Sequence, residues 1–323
     1  MTRWWSRLRP DNFTLALLAT VALATLLPMR GAFALVLDDG TNVAIAALFF
    51  LHGARLPRES IVAGLLHWRL HLLILACTFV LFPLLGLAFR PLSGLLLTPD
   101  LYMGVLFLCA LPSTVQSSIA FTSLAGGNVP AAVCAASLSS ILGVFLTPLL
   151  MGLLAGSQGH MANPLHAVGM IMLQLLVPFV AGHLLRPRLL GWLQERRSLL
   201  RRTDQGTVLL VVYGAFGESV REGLWQHTSL AALLGVALIA VALLAIAMPG
   251  ITWLARRLGF NRADEIPIVF CGSKKSLATG VPIAKVLFAG GSLGAIVLPI
   301  MIYHQLQLIV CAMVAQRYAQ RAR

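Results

Sequence analysis

Charged residues in this chain stand in clusters, and long apolar runs separate them. A bilayer-spanning helix needs about 20 mostly apolar residues, and somewhat fewer if it is tilted or re-entrant. On that rule the pattern predicts ten helices, over residues 12–29, 40–54, 66–89, 101–124, 129–155, 165–185, 205–220, 229–255, 265–288 and 292–315. The second, fourth, seventh and ninth are short or interrupted by Gly, Pro and polar residues. The expected architecture is an all-α membrane protein forming one domain over residues 1–323. Its two five-helix halves, 12–155 and 165–315, are joined by an arginine-rich linker over 186–204.

Five spans is an odd number, so halves of this kind lie oppositely oriented in the membrane. A short echo supports the duplication: "LAGGNVPAAV" (Leu124 to Val133) returns as "FAGGSLGAIV" (Phe288 to Val297), each between the fourth and fifth span of its half. Each echo also follows a polar interruption, "PSTVQSS" (Pro112 to Ser118) in the fourth span and "GSKKS" (Gly272 to Ser276) in the ninth. Pro112 removes a backbone donor and Gly272 weakens the helix, so broken, crossing fourth and ninth helices are expected. Secondary transporters build midplane sites from such interrupted helices in matching positions of inverted repeats.

Composition agrees with this class. The chain is 59% hydrophobic and 11% charged, whereas soluble proteins carry about 25% charged residues. Its formal net charge of +13 does not suggest nucleic acid, because the basic residues punctuate apolar runs rather than forming one soluble face. They serve instead to orient the spans. With both termini cytoplasmic, the inside set is Arg3, Arg7, Arg9, Arg55, Arg58, Arg69, Arg186, Arg188, Arg196, Arg197, Arg201, Arg202, Arg256, Arg257, Arg262, Arg317, Arg321 and Arg323, against Arg30, Arg90 and Arg221 outside. The expected location is the inner (plasma) membrane. The opening residues read as a retained first helix rather than a signal peptide, since no small-residue cleavage site follows. Cys77, Cys109, Cys134, Cys271 and Cys311 all lie in apolar segments without a C-x-x-C pair and read as small buried residues.

The three lysines, Lys274, Lys275 and Lys285, fall within eighteen residues, "CGSKKSLATGVPIAKVLF". One lysine at a helix centre costs about 2.5–3.5 kcal/mol, so an adjacent pair demands partners or water. If the ninth span starts late, Lys274 and Lys275 are surface residues. If "DEIPIVFCGSK" is helical, a rise of about 1.5 Å per residue sets them near mid-membrane. There they would form a cationic site for an anionic substrate, a built-in charge, or a titrating amine. Glu218 is the expected counter-ion unless it only ends its helix. Ser113, Thr114, Gln116, Ser117 and Ser118 offer hydroxyl and amide ligands beside Pro112, and Ser273 and Ser276 flank the lysine pair. His304 and Gln307 share a face of the last span, for interhelical bonds or substrate contact, with Gln305 beside them. No H-E-x-x-H, G-x-S-x-G, Walker loop or strand-borne G-x-G-x-x-G is present, so an enzyme is not expected and neither is a cofactor.

"LPSTVQSSIAFTSLAGGNVPAAVCAASLSSILGVFLTP", "FCGSKKSLATGVPIAKVLF" and "LPIMIYHQLQLIVCAMVA" resemble the SBF-like branch of the bile acid:sodium symporter superfamily. The resemblance covers nearly the whole chain. It implies ten helices in a panel and a core, with the broken fourth and ninth helices crossing near substrate and sodium sites. It also brings out departures from the sodium-coupled members. Ser117 and Ser118 stand where those carry Ser-Asn, and Ala132 and Ala136 align with hydroxyl residues, although Ser137 and Ser139 are near. Phe270 aligns with a Glu, and Lys274 and Lys275 with a Gln-Asn pair. Two cations in place of an anionic ligand should repel sodium, so the lysines are expected to replace it, with sodium or proton coupling left open. The leading expectation is secondary active transport of a small organic anion across the lipid bilayer by alternating access. The alternative is a membrane sensor that binds without turnover.

Overall fold

The computed structural model describes residues 12–29, 31–55, 67–156, 164–221, 223–288 and 293–320. The expected charges at Arg3, Arg7, Arg9, Arg30, Arg58, Arg321 and Arg323, and the centre of the second Ala-Gly-Gly echo, lie outside those residues. All regular structure among the described residues is helical, without strands.

In chain order the helices of nine residues or more are α1 (Asn12–Leu26), α2 (Ala32–Arg55), α3 (Trp68–Ala88), α4 (Pro99–Ala110), α5 (Gln116–Leu124), α6 (Val129–Gly156), α7 (Pro164–Glu195), α8 (Arg197–Arg221), α9 (Leu230–Arg257), α10 (Arg262–Ser273), α11 (Leu277–Leu287) and α12 (Leu293–Gln320). Among the described residues, five helical segments are long and apolar enough to cross a membrane: Ala34–Arg55, Trp68–Ala88, Val129–Leu154, Leu230–Arg257 and Leu293–Gln320.

Two differences from the sequence expectation have the same cause. The second helix begins at Ala32 rather than at residue 40, and it carries Asp38 and Asp39 within its length. Likewise the arginine-rich stretch expected as a linker over 186–204 is helical, ending α7 and beginning α8. Charge marks where a span leaves the apolar region, but a helix continues for as long as its backbone bonds are made.

The helices form two groups. In one, α2 packs along α7 and α8 packs along α1 and α2. The α2–α7 crossing is very close: a Cβ on Gly53 would lie 1.9 Å from the Phe179 carbonyl oxygen, and one on Gly182 would lie 1.9 Å from that of Phe50. Reciprocal glycines let two backbones touch, a familiar device in apolar helix pairs. The other group holds α3 to α6 and α9 to α12, with α4 packed on α12 and α9 packed on α10 and α12. Here a Cβ on Gly104 would lie 2.5 Å from the Ile296 oxygen. An Arg256–Glu265 pair (2.7 Å) ties α9 to α10, and the Tyr318 hydroxyl on α12 donates to the same carboxylate at 2.6 Å.

Candidate functional site

Two helices of the second group are interrupted, and the interruptions meet. α4 stops at Ala110 and α5 resumes at Gln116, while α10 stops at Ser273 and α11 resumes at Leu277. The backbone amide of Ser276 donates to the Pro112 carbonyl at 2.9 Å, joining one break to the other. Gly272 is not the break point: its helix runs on to Ser273, and a Cβ there would lie 3.3 Å from that of Cys77. It serves close packing against α3 instead.

A helix end leaves carbonyls without intrahelical donors, and in an apolar interior each needs a partner. At the end of α4 four successive carbonyls are satisfied from outside. Lys275 Nζ donates to Cys109 O (2.9 Å) and Leu111 O (2.8 Å), Thr147 Oγ1 donates to Ala110 O (2.9 Å), and Ser276 N takes Pro112 O. The third proton of Lys275 goes to Thr78 O at 2.8 Å. Thr78 lies in a π-helical turn of α3, Cys77–Leu81, where the register of backbone bonds changes. Such bulges recur at functional sites because they shift carbonyls out of the regular ladder. The ammonium also lies 4.4 Å from the centre of the Phe82 ring.

The peptide of Lys275 is held as firmly as its amine. Gln307 on α12 accepts from Lys275 N through Oε1 (2.8 Å) and donates to Lys275 O through Nε2 (2.9 Å). His304 Nδ1 lies 3.0 Å from that same Nε2, so the expected shared face is present. Tyr303 donates from its hydroxyl to Ser273 O at 2.7 Å. Lys274 points the other way, donating to Ser117 Oγ at 2.6 Å with its ammonium 4.3 Å from the Phe121 ring centre. Phe270 lies beside Phe121, centres 5.9 Å apart. Both lysines are 0% exposed.

A cavity of about 670 Å³ lies between the two helix groups. Of the residues expected at a site, Thr114, Gln116, Ser117, Ser137, Ser276 and His304 line it. Lys274 and Lys275 do not. They sit behind the wall, and Lys274 is one hydrogen bond away from it through Ser117. Ser113 and Ser118 are also buried behind the wall; the Ser113 amide donates to Ser139 Oγ at 3.0 Å, and Ser118 Oγ lies 3.0 Å from Thr114 Oγ1. Ser273 turns back on its own helix, donating to Val269 O. Gln305 does not line the cavity.

The expected pairing of Glu218 with the lysines does not occur. Glu218 is near the end of α8, beside Ser219, which accepts a bond from the Gly294 amide, whereas the lysine amines are bound to carbonyls and a hydroxyl. The third lysine does have an acid: Lys285 on α11 pairs with Asp38 on α2, across the two helix groups.

The sequence reading missed several residues at this site. Tyr303 braces Ser273 O beside the lysines, Phe82 and Phe121 face the two ammonium groups, and His52, Arg55, Arg201, Asp204 and Gln205 line the cavity. Asp204 carried a signal: it is one of only eleven acids in the chain. All five cysteines are buried and free. Among the described residues no cluster of His, Cys, Asp and Glu is arranged to hold a metal.

Interrupted helices that meet beside a cavity in an apolar helical protein are the arrangement of a membrane transporter site. The chain belongs to the SBF-like CPA transporter family, whose model matches residues 11–320. It is 62% identical over 315 residues to the uncharacterized protein PA2026 of Pseudomonas aeruginosa, covering 98% of this chain and 95% of that one. It is 53% identical to "Putative symporter YfeH" of Escherichia coli (strain K12), covering 96% and 93%. It is 30% identical to sodium/bile acid cotransporter 7 of Xenopus tropicalis, covering 94% and 90%. The protein is therefore a multi-pass membrane transporter rather than an enzyme.

Proposed function

We propose that this protein is a secondary active transporter of a small organic anion in which the Lys275 ammonium stands where a sodium ion would bind. One observation carries the reading: an ammonium held by the carbonyls of Thr78, Cys109 and Leu111 at 2.8 to 2.9 Å, with no carboxylate among the described residues paired to it. Unwound carbonyls at half-helix C-termini are the ligands that hold coupling cations in transporters. The negative end of the α4 dipole adds to their field. A second unit charge about 4 Å from the ammonium would be repelled by about 4 kcal/mol at an effective dielectric constant near 20. Lys274 and Phe270 fill the neighbouring positions, where the family resemblance implies a Gln-Asn pair and a Glu in sodium-coupled members. Transport is therefore sodium-independent, and any coupling ion is a proton.

The anionic substrate follows from the cavity wall. The first turns of α5 and α11 lie on it, through Gln116 and Ser117 and through Leu277 to Thr279. Helix N-termini present unpaired amides and positive dipole ends, which favour an anion. In this reading the ten spans form two inverted five-helix repeats, with α4–α5 and α10–α11 as the broken pair. The group containing α3 to α6 and α9 to α12 rocks against the other to give alternating access. The helical spans favour the inner membrane, since outer-membrane proteins are barrels, and the arginine distribution favours cytoplasmic termini.

Uptake into proteoliposomes tests the reading. Radiolabelled organic anions should enter at equal rates in sodium and potassium media, with saturation and competition by unlabelled anion. Uptake abolished by replacing sodium with potassium would overturn the built-in cation, and specific binding without uptake would overturn transport.

A further inference from the structure

The cavity wall also carries charge that the reading above leaves unused. Arg55 is the last residue of α2, and Arg201, Asp204 and Gln205 lie in the first turns of α8; all four line the cavity with His52. Asp204 binds Arg55 in the two-pronged manner, at 2.6 Å and 3.2 Å, and is itself only 8% exposed. Arg55 Nε is buried and has no acceptor. Arg201 is exposed on the cavity wall and makes no hydrogen bond or ion pair with any described residue. The cavity wall thus carries two guanidinium groups and one carboxylate, which binds Arg55 alone, and donors on both arginines remain unused. His52 adds no negative charge, its Nδ1 being bound to Leu48 O at 2.8 Å.

A guanidinium matches an oxyanion geometrically as well as electrostatically, because its N–H groups form a rigid fork. The lysines cannot serve this purpose, since both are sealed from the cavity. We infer that Arg201 and Arg55 form the subsite that recognises the solute's carboxylate, with Asp204 as a resident competitor that holds Arg55 until the solute arrives. This inference rests on the anionic-solute reading and adds where, and by which groups, the charge is read.

The experiment uses the purified full-length protein with straight-chain and aromatic mono- and dicarboxylates, each paired with its neutral amide. Binding is measured by thermal stabilisation and by uptake into proteoliposomes. Arg201→Gln removes no bond of the fold. Arg55→Gln is made together with Asp204→Asn so that no buried charge is left alone. For a carboxylate that binds the wild type in preference to its amide, both variants should weaken binding about tenfold or more, the loss expected for a hydrogen bond to a charged group. Asp204→Asn alone should tighten it. Carboxylate binding within about twofold of wild type in Arg201→Gln and in the double variant would overturn the inference while leaving anion transport standing. If only the neutral amides bind and are transported, the anionic-solute reading falls and this inference falls with it.

Discussion

Lys275 exchanges the hydration of an ammonium for three carbonyls and an aromatic face, and its peptide is clasped by Gln307. Gln307→Leu would leave a buried N–H and a buried C=O without partners. We expect a loss of about 2–6 kcal/mol, from about 1–3 kcal/mol for each of the two orphaned groups. Gln307→Glu, which keeps the acceptor but loses the donor, should fall between that variant and the wild type in denaturant unfolding in detergent. Lys274→Met should cost less than Lys275→Met, because it removes one hydrogen bond and one ring contact rather than three bonds and a ring. At this scale the lysines were legible as an anomaly of composition. Ser117, the partner of Lys274, was legible as a hydroxyl beside Pro112, but the ligands of Lys275 were not, because a backbone carbonyl carries no signature of residue type.

Elements in this molecule are set by how closely helices approach and where they break. The breaks at 111–115 and 274–276 overlap the polar stretches that marked them, since proline and paired lysines are poor occupants of a continuous apolar helix. The reach of α2, α7 and α8 was not legible. Asp38 and the arginines near the α7–α8 junction looked like span ends, yet Asp38 is held within α2 and paired with Lys285. Gly53→Ala or Gly182→Ala should separate α2 from α7 and sharply lower the yield of folded, monodisperse protein, whereas Gly250→Ala, with open space around its Cβ, should leave yield unchanged. The Asp38–Lys285 pair joins the two helix groups some seventeen residues along α2 from Arg55, about 25 Å at helical rise. Asp38→Asn should therefore favour opening at that end. A cysteine introduced at an apolar interface position beside Lys285 should react faster with a water-soluble maleimide in that variant, and an unchanged rate would mean the pair bears no load between the groups.

Across the whole molecule, one group of helices holds the interrupted pair and the buried cations, the other supplies the arginines, and the cavity lies between them. Transporter class and family were legible from motifs spread over nearly the entire chain. The division of labour within the cavity was not, because arginines at helix ends serve topology and recognition alike. The central claim is that Lys275 takes the place of a bound sodium ion. Its most direct test is the thermal stability of purified wild type and Lys275→Ala in matched sodium and potassium buffers. The account predicts a wild type indifferent to sodium, and a Lys275→Ala protein that is less stable in potassium and recovers part of the loss in sodium as the ion enters the vacated carbonyl site. Sodium-dependent stabilisation of the wild type, with no gain in the variant, would contradict it.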